Sequence, residues 1–239
     1  KLTTALRTET FAVQPYTPHC RVIHDEGEHA VIGISSGNGY FSHQRVLGLA
    51  AWGLDNFRQV DLIWTDMHVA EQFESLGYGS VEAQRKTVKN LRGVRAKVTA
   101  AVGSLDPSGQ RLRGRPMSDL VQIPAYRKIR DELDVMLKDD KEFRDVCDQL
   151  AARFLETKVG GLGATQRQRQ ACIRYVCAEA PLFLDTPAIL GVPSSLNLYH
   201  QALPLADLLY ARGSGLRASR NQGHAVITPA TTDDQEHAA

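Results

Sequence analysis

Apolar residues in the first half of the chain alternate between short uninterrupted runs and longer stretches with helical spacing. The run from Ala30 to Ser35 leads into a glycine-rich turn and predicts a buried strand, and Val60 to Thr65 predicts a second one. Helical periodicity extends from Tyr40 to Phe57 between them and begins again at His68. Strand, turn, helix and strand in this order indicate a parallel α/β sheet flanked by helices.

The second half of the chain is predicted to be mostly helical. A helix is predicted over Glu82 to about Ser104, a strand over Arg111 to Arg115, and helix over Ser118 to Phe154 with breaks at Pro124 and near Asp139. After a loop over Gly160 to Gly163, a helix is predicted from Thr165 to Ala180, where Pro181 stops it. The remaining predicted segments are a loop over Thr186 to Ser195, a helix over Tyr199 to Arg212 and a strand over Ala225 to Thr228. We predict one domain over residues 1–230, followed by an acidic tail, residues 231–239, that is expected to be disordered.

The composition of the 239-residue chain, with 43% hydrophobic and 23% charged residues, is typical of an ordinary globular domain with a sizeable core. No uninterrupted apolar run reaches the length of a membrane span, and Lys1 to Thr10 lack the apolar segment of a secretory signal. We therefore expect a cytoplasmic protein with no membrane partner. The cysteines lack C-x-x-C spacing, so we expect reduced thiols and no metal site at Cys20, Cys147, Cys172 and Cys177.

The pentapeptide Gly33-Ile34-Ser35-Ser36-Gly37 matches the pattern G-x-S-x-G. In that pattern a serine lies on a sharp turn between a strand and a helix, with its oxygen exposed at the carboxyl end of a parallel sheet. Backbone N–H groups and the helix N-terminus would then face an oxyanion formed at this serine. A second interpretation is a turn without chemistry, in which Asn38 caps the next helix. The motif alone does not separate the two.

The same pentapeptide occurs in α/β-hydrolase-type serine esterases, which add an acid and a histidine later in the chain. His200 and His224 are candidates for the histidine, and Asp185 is a candidate for the acid. The match is poor, because the nucleophile of those enzymes follows several strands, whereas Ser35 follows the first predicted strand. A phosphate-binding P-loop is excluded because no G-K-S/T follows the glycines.

Tyr175 and Glu179 are four residues apart on a predicted helix and therefore share one face. A phenol beside a carboxylate can bind an ammonium group and move protons. The segment Ala178 to Phe183 is otherwise small and apolar, which predicts that Glu179 is partly buried, and buried carboxylates are seldom idle. Taken in isolation, a helix-surface pair without a role is the commoner explanation of this spacing.

Three ordered motifs together resemble those of the cyclodipeptide synthases. They are S-S-G-N at Ser35 to Asn38, Y-x-x-x-E-A-P-L-F at Tyr175 to Phe183, and V-P-S-S-L-x-x-Y-H at Val192 to His200. The similarity spans nearly the whole chain, including residues 215–224, and no catalytic position departs from the family pattern. Three motifs in this order are far more specific than any one of them.

The resemblance implies a Rossmann-like α/β domain similar to the catalytic domain of class I tyrosyl- and tryptophanyl-tRNA synthetases, without their ATP-binding motifs. It implies an enzyme that joins amino acids from two aminoacyl-tRNAs into a diketopiperazine by ping-pong acyl transfer. Because an aminoacyl-tRNA is already an activated ester, no ATP or other cofactor is expected. By position, Ser35 would carry the aminoacyl and dipeptidyl groups, Tyr175 and Glu179 would hold the amino group, and Tyr199 would assist proton transfer. The resemblance also places Asn38 and His200 at the substrate.

A predicted helix that has no acidic residue after its first position is the candidate contact for tRNA. Between Ala83 and Leu105 there is no Asp or Glu, although the whole chain has a net charge of only +1. Its six bases are Arg85, Lys86, Lys89, Arg92, Arg95 and Lys97. The predicted buried stripe, which would turn most of the bases toward solvent and leave Arg95 at the border, consists of Val88, Leu91, Val94, Val98 and Val102. A face of one sign favours a phosphate backbone over an ordinary solvated face.

Further bases that could extend this surface are Arg111, Arg113, Arg115, Arg217 and Arg220. A non-catalytic tRNA-binding protein would keep the same fold and the same basic helix, so that function remains an alternative. The oligomeric state is open, with a homodimer as one option.

Asn197 bears on the amino acid that is used. In the family, the residues around its motif and around Gly33 line the pocket for the first aminoacyl side chain. The neighbours Val31 and Leu182 are apolar, and a buried amide among them needs a partner, which a tyrosine hydroxyl would supply. We therefore predict tyrosyl-tRNA as the substrate and cyclo(L-Tyr-L-Tyr) as the main product. The alternative is that Asn197 bonds a backbone group in its own loop.

Overall fold

The computed structural model describes residues 9–159, 165–211 and 217–230. Its strands are β1 (Phe11–Pro15), β2 (His29–Gly33), β3 (Gln59–Trp64), β4 (Leu112–Pro116), β5 (Ser195–Tyr199) and β6 (Gln222–Pro229). Its helices are α1 (Pro18–Glu26), α2 (His43–Asn56), α3 (Val69–Ser75), α4 (Ser80–Leu105), α5 (Pro124–Asp139), α6 (Lys141–Val159), α7 (Gln166–Leu190) and α8 (Pro204–Ala211). A short 3₁₀ helix, Met117–Asp119, follows β4.

All six strands form one sheet in the order β1-β6-β5-β2-β3-β4. Five of them are parallel, and β1 pairs antiparallel with β6 at one edge. Starting from β2, the chain first builds the sheet toward β4 and then returns to add β5 and β6 on the other side. This reversal is the strand order of a Rossmann-like fold, and its switch point lies between β2 and β5. The predicted fold class is therefore confirmed.

Helices cover both faces of the sheet, and each face has its own apolar core. Buried side chains of α1, α2 and α4 pack on the first face, with Val46, Leu49 and Val94 among them. On the second face, a smaller cluster that includes Val31 and Leu182 lies between the sheet, α5 and α7. The outer helices α6 and α8 extend this second layer through a further apolar cluster.

The helix boundaries follow local capping chemistry. Thr17 caps α1 by accepting from the backbone N–H of Cys20, and Ser42 caps α2 by accepting from Arg45. Thr165 and Gln168 form a reciprocal capping box at the start of α7. These caps relieve backbone donors that have no partner within the helix.

The predicted end of α7 at Pro181 is wrong, since the helix continues to Leu190 with a break at Asp185 (φ −159°, ψ 64°). The phenol of Tyr126 donates to the carbonyl of Ala178 near the first proline. At the break, the Asp185 carboxylate accepts from the backbone N–H of Ala188 and so caps a second helical segment. Polar capping of this kind lets prolines lie inside a continuous helical element.

Two further predictions of secondary structure are wrong, and the second error changes the place of Ser35 in the order of the strands. Residues Ser195–Tyr199 form β5 rather than loop and helix, so the next helix begins only at Pro204. The sequence analysis also overlooked β1 and α1, so Ser35 follows the second strand and not the first. The other predicted strands and the long helix α4 are confirmed, while the predicted loop at 160–163 and the tail at 231–239 lie outside the described residues.

Candidate active site

Ser35 lies just beyond the carboxyl end of β2, at the switch point of the sheet. The turn that follows requires glycine at position 37, where φ is +69° and an added Cβ would lie 2.5 Å from the amide nitrogen of Asn90. The chain then continues as a loop, because α2 begins only at His43 and is capped by Ser42. The predicted direct passage from strand to helix and the predicted Asn38 cap are therefore both wrong. A role for the helix N-terminus at Ser35 loses its basis.

Tyr199 is the direct partner of Ser35. Its phenol oxygen lies 2.7 Å from the Ser35 hydroxyl oxygen, across the switch point between β2 and β5. Gly33 leaves room for this ring, because a Cβ there would already lie 3.4 Å from a ring carbon of Tyr199. Burial raises the pKa of Tyr199, while its hydrogen bond to Ser35 opposes that change. The phenol is thus neutral at physiological pH and can relay a proton between Ser35 and a leaving group.

Glu179, on α7, faces the same space and is held by hydroxyl groups. Thr65, one residue after β3, donates to a carboxylate oxygen of Glu179 over 2.5 Å. Tyr175, one helical turn earlier, donates a hydrogen bond to the carboxylate of Glu179. Burial raises the pKa of Glu179, and these two hydrogen bonds counteract it. Burial also raises the pKa of Tyr175 well above its ordinary value, with the charge of Glu179 acting in the same direction.

The carboxylate and the Ser35–Tyr199 pair belong to one site, because β2 lies between β5 and β3 in the sheet. Tyr199, Ser35 and Thr65, the partner of Glu179, all lie at the carboxyl ends of these three strands. Within the described residues no arginine or lysine is paired with Glu179. A buried carboxylate without a cation is costly unless a ligand supplies the charge. This arrangement fits the ammonium group of an amino acid whose carbonyl carbon is at Ser35.

Thr65 is the residue of this site that the sequence analysis missed. It is 5% exposed and ends the apolar run that predicted β3. Since β3 was predicted to lie parallel to the strand before Ser35, a hydroxyl at its carboxyl end was a usable signal.

Asn38 and His200 lie together beside Tyr199. The Asn38 side-chain nitrogen is 3.5 Å from Nε2 of His200, and its oxygen accepts from the backbone N–H of Tyr40. The ring of Tyr40 stacks on His200 with centroids 4.2 Å apart and an interplanar angle of 16°. These contacts connect the turn after Ser35 to the end of β5.

Val31, Leu182 and Asn197 lie close together behind the site, and all three are at most 8% exposed. Asn197 pairs with Val31 in the sheet register and donates to the carbonyl of Leu182 over 2.7 Å. Its oxygen lies 3.3 Å from the hydroxyl of Thr186, which donates its proton over the shorter distance of 2.7 Å to the same Leu182 carbonyl. The premise that this amide lacks a protein partner is therefore wrong. The alternative of a backbone contact is correct in kind, but the partner lies on α7 and not in a loop around Asn197, which is on β5.

The basic helix α4 runs past the turn after Ser35, where Asn90 contacts Gly37. Four of its bases are exposed, namely Arg85, Lys89, Arg92 and Arg95. Lys86 instead lies over the ring of Tyr78, at 4.5 Å from its centroid, and Lys97 donates to the carbonyl of Phe41 over 2.7 Å. Lys97, predicted among the bases that face solvent, is therefore half-buried, and Arg95, predicted at the border, is exposed.

The buried stripe of α4 also differs from the prediction. Val88 is 47% exposed, and the buried positions are Ala83, Thr87, Val94, Val98 and Ala101. Two of the additional bases serve the fold, since Arg111 donates to the carbonyls that end α2 and Arg115 pairs with Asp61. The other three additional bases, Arg113, Arg217 and Arg220, are exposed, as are the four bases on α4.

The side chains proposed for an α/β-hydrolase triad do not assemble. Ser35 bonds Tyr199, His224 bonds Tyr210 through Nδ1, and the carboxylate of Asp185 accepts from Ser219 and Ala188. Burial lowers the pKa of His224 to about 3, so this histidine is neutral inside the fold. The geometry gives no support to the esterase alternative.

The four cysteines are buried free thiols. Across the described ranges, no helix is long and apolar enough to cross a membrane, and no cluster of His, Cys, Asp and Glu could hold a metal ion.

Comparisons with known proteins agree with the motifs. The sequence model of a family described as cyclodipeptide synthase matches residues 11–229. The chain is 62% identical to the cyclo(L-tyrosyl-L-tyrosyl) synthase of Mycobacterium tuberculosis, over 94% of this chain and 78% of that protein. It is 34% identical to the cyclo(L-leucyl-L-phenylalanyl) synthase of Streptomyces noursei, over 87% of this chain and 88% of that protein. A solved Mycobacterium tuberculosis structure, described as demonstrating that cyclodipeptide synthetases are related to type I tRNA synthetases, superposes with a TM-score of 0.87 at 58% identity, covering 96% of this chain and 100% of that one.

Proposed function

This chain belongs to the cyclodipeptide synthase family, and from that premise we propose that it makes cyclo(L-Tyr-L-Tyr) from two tyrosyl-tRNAs. The proposed route is ping-pong acyl transfer through aminoacyl-Ser35 and dipeptidyl-Ser35. The choice of tyrosine rests on the 62% identity to a cyclo(L-tyrosyl-L-tyrosyl) synthase. It does not rest on Asn197, whose amide is already bonded within the protein.

In the first step the Ser35 oxygen attacks the ester carbonyl of the first tyrosyl-tRNA. The bond from the carbonyl carbon to the ribose oxygen breaks, and an ester to Ser35 forms. The serine proton passes to the leaving ribose oxygen through the phenol of Tyr199, which lies 2.7 Å from Ser35. The first tRNA leaves uncharged, and Glu179 with Tyr175 holds the amino group of the bound tyrosyl moiety.

In the second step the ammonium group gives one proton to Glu179, and the resulting amine attacks the carbonyl of the second tyrosyl-tRNA. A peptide bond forms as the bond to the second ribose oxygen breaks, that leaving oxygen takes up the next proton of the amine, and Ser35 now carries a dipeptide. Glu179 then releases its proton to solvent. The new terminal ammonium also loses a proton to solvent, and the resulting amine attacks the ester carbonyl at Ser35, so that the bond to the serine oxygen breaks and this oxygen takes up a proton from the amine. The diketopiperazine is released, and the enzyme is restored without an external energy source.

The environment of the Glu179 carboxylate is the observation on which this proposal rests. Its buried carboxylate has hydroxyl partners in Thr65 and Tyr175, and the raised pKa brings it nearer to the range of a base at neutral pH. A hydrolase that attacks esters with water has no need of an ammonium site beside its nucleophile. An enzyme whose intermediate carries a free amino group does need one.

The four exposed bases of α4 are proposed to contact tRNA phosphates. Helix α4 passes the Ser35 turn, so a tRNA whose acceptor end reaches Ser35 would have its backbone along this helix. Phosphate contacts are independent of base sequence, which suits an enzyme that must recognise an amino acid rather than one particular tRNA.

Acylation of Ser35 tests the proposed function directly. Incubation with tyrosyl-tRNA, followed by intact-protein mass spectrometry, should show a tyrosyl adduct that Ser35→Ala lacks. Expression in a bacterial cytoplasm should release cyclo(L-Tyr-L-Tyr) into the medium, as measured by mass spectrometry. Hydrolysis of simple esters without a cyclic dipeptide would favour the esterase, and tRNA binding without an adduct would favour the non-catalytic binding protein.

Removal of charge from α4 tests the tRNA surface. The triple variant Lys89→Ala, Arg92→Ala and Arg95→Ala should weaken the use of tyrosyl-tRNA, most of all at low salt. Because each lost phosphate contact lowers the salt slope of log K by about 0.7–0.9, the variant should approach the wild type as salt rises. KM measured at low and at moderate salt gives both the loss in tyrosyl-tRNA use and its dependence on salt.

Exposed bases on the opposite face of the sheet provide the matched control. The triple variant Lys128→Ala, Lys138→Ala and Arg153→Ala removes the same charge from α5 and α6. An equal loss in both variants would mean that only the net charge matters, and α4 would then have no special role.

A further inference from the structure

A stack of three side chains lies beside Tyr199, whose ring centroid is 4.5 Å from that of His200. The guanidinium of Arg45 lies 4.5 Å from the centroid of the Tyr40 ring, and that ring lies flat on His200. Arg45 is fixed from behind by Glu9, with 3.0 Å between the charged atoms. The stacking of Arg45, Tyr40 and His200 therefore holds a positive charge near the imidazole of His200.

The hydrogen bonds of Asn38 determine which form of His200 fits. The Asn38 oxygen accepts from the backbone N–H of Tyr40, so the side-chain nitrogen is the atom that faces Nε2 of His200. That nitrogen can only donate, so the contact, which is long for a hydrogen bond, favours an Nε2 that accepts and carries no proton. An imidazolium would place two donors against each other at 3.5 Å. The contact between the Ser35 turn and the end of β5 thus favours a neutral His200.

The surroundings of His200 favour that neutral form. Burial lowers its pKa, and the charge of Arg45 lowers it further. The other facing groups are the phenols of Tyr40 and Tyr199, together with Lys97 of α4, which donates to the carbonyl of Phe41 next to the stack. Lys97 adds positive charge and disfavours an imidazolium, whereas the face of the Tyr40 ring attracts a cation, so the charge of Arg45 is what opposes the effect of that ring.

We propose that Arg45 is a positioning residue that acts through the Tyr40 ring to keep His200 neutral, and thereby holds the turn that carries Ser35 against Tyr199 in mildly acidic conditions. The proposal rests on the proposed function in one respect, namely that Ser35 is the reacting residue. Its electrostatic part concerns the fold alone and is measurable without substrate.

The test is a histidine titration by NMR combined with a pH profile of product formation. Arg45→Gln removes the charge, and it should raise the pKa of His200. The rate at pH 6 relative to pH 8 should fall by up to about twofold, because the imidazolium fraction at pH 6 rises with the pKa. Arg45→Lys should restore both values. The His200 resonance is assigned by its loss in His200→Gln.

Arg58 provides the matched control, since it is an exposed arginine that pairs with Glu28 as Arg45 pairs with Glu9. Arg58→Gln should leave the His200 titration and the rate ratio unchanged. Glu9→Gln provides a second variant with the opposite sign, because it frees the charge of Arg45 and should lower the pKa of His200. This variant decides the question if Arg45→Gln fails to fold.

An unchanged His200 titration in Arg45→Gln and Glu9→Gln would overturn the inference. A shifted titration with an unchanged rate ratio would overturn its link to the Ser35 turn. If the His200 titration shifts as expected but the wild type forms no tyrosyl adduct at any pH, the electrostatic role stands and the proposed function fails.

Discussion

Two polar clusters lie on the same face of the sheet, at opposite ends of the same strands. The amino-end cluster consists of His29, Asp61, Arg115 and Ser195. The carboxyl-end cluster consists of Ser35, Thr65, Tyr175, Glu179 and Tyr199. Both contain a serine and a buried carboxylate. In the amino-end cluster Ser195 contacts His29, and His29 contacts Asp61, so a serine, a histidine and an aspartate are linked in a row.

The two carboxylates differ in what neutralises them. Asp61 accepts from Arg115 over 2.7 Å and from His29 over 2.9 Å, and His29 in turn contacts Ser195 over 2.8 Å. Ser195 has no exposed surface, so a substrate has no access to it. Glu179 is bonded to hydroxyl groups, and its charge is left for a ligand to balance. Side-chain identity therefore does not distinguish a catalytic cluster from a structural one, whereas charge balance and access do.

Replacement of Glu179 should give the largest effect, and the effects on activity and stability should have opposite signs. Glu179→Gln keeps an oxygen for Thr65 but removes the charge that binds ammonium and accepts its proton. We expect a loss of about 10³-fold in product formation, the scale of general acid–base catalysis. Steady-state assays with tyrosyl-tRNA measure it.

The same variant should unfold less readily at neutral pH. Burial raises the pKa of Glu179 above that of the unfolded chain, so this group favours folding at low pH and loses that contribution as pH rises through the folded pKa. Glutamine removes the cost of the buried charge, and a gain of about 1 kcal/mol is expected at pH 8, falling toward zero near pH 5. Urea unfolding at both pH values checks the trend. Glu132→Gln, at an exposed carboxylate on α5, should show neither change.

Asp61 should give the next largest effect, with the opposite sign in stability. Asp61→Asn leaves the Arg115 guanidinium without its anion and weakens the bond to His29, so we expect a loss of about 2–4 kcal/mol in the free energy of unfolding. The folded fraction should keep most of its activity. Asp134→Asn breaks an exposed pair with Arg130 and should cost at most about 0.5 kcal/mol. A stability gain in Asp61→Asn would remove the contrast between the clusters.

The sequence predicts the strand ends and the helix face that form the carboxyl-end cluster, but it does not predict the contact between Ser35 and Tyr199. Apolar runs at residues 30–35 and 60–65 place Ser35 and Thr65 at adjacent strand ends, and the spacing of Tyr175 and Glu179 fixes their shared face. Tyr199 was assigned to a helix because the apolar run of β5 is short and follows two prolines and a glycine that suggest a loop. Its contact with Ser35 depends on pairing between strands that are far apart in sequence, which no local pattern contains.

The amino-end cluster was not predicted at all, for the same reason. His29 borders a predicted strand, Asp61 interrupts one, and Ser195 lies where a loop was expected. Each residue looks unremarkable in its own segment. They meet only because β2 lies between β3 and β5 in the sheet, and that order follows from the reversal of the Rossmann-like topology.

Asn197 lies on β5 between Ser195 of the amino-end cluster and Tyr199 of the carboxyl-end cluster. Its replacement therefore tests on which side of the border between the two clusters it belongs, and it should have the smallest effect. Asn197→Leu removes the amide bond to the Leu182 carbonyl, which still accepts from Thr186, so we expect a loss of about 1 kcal/mol in unfolding free energy. Because the amide is already bonded, the preference for tyrosyl- over phenylalanyl-tRNA should stay within about threefold of the wild type, whereas a site built to bond the phenol can reject its analogue by about 10⁴-fold. Product mass spectrometry with both substrates in competition measures the ratio. Asn56→Leu breaks an equivalent amide-to-carbonyl bond at the surface and should change neither value. A collapse of the tyrosine preference with unchanged stability would instead place Asn197 in the substrate pocket and move the border of the active site inward along β5.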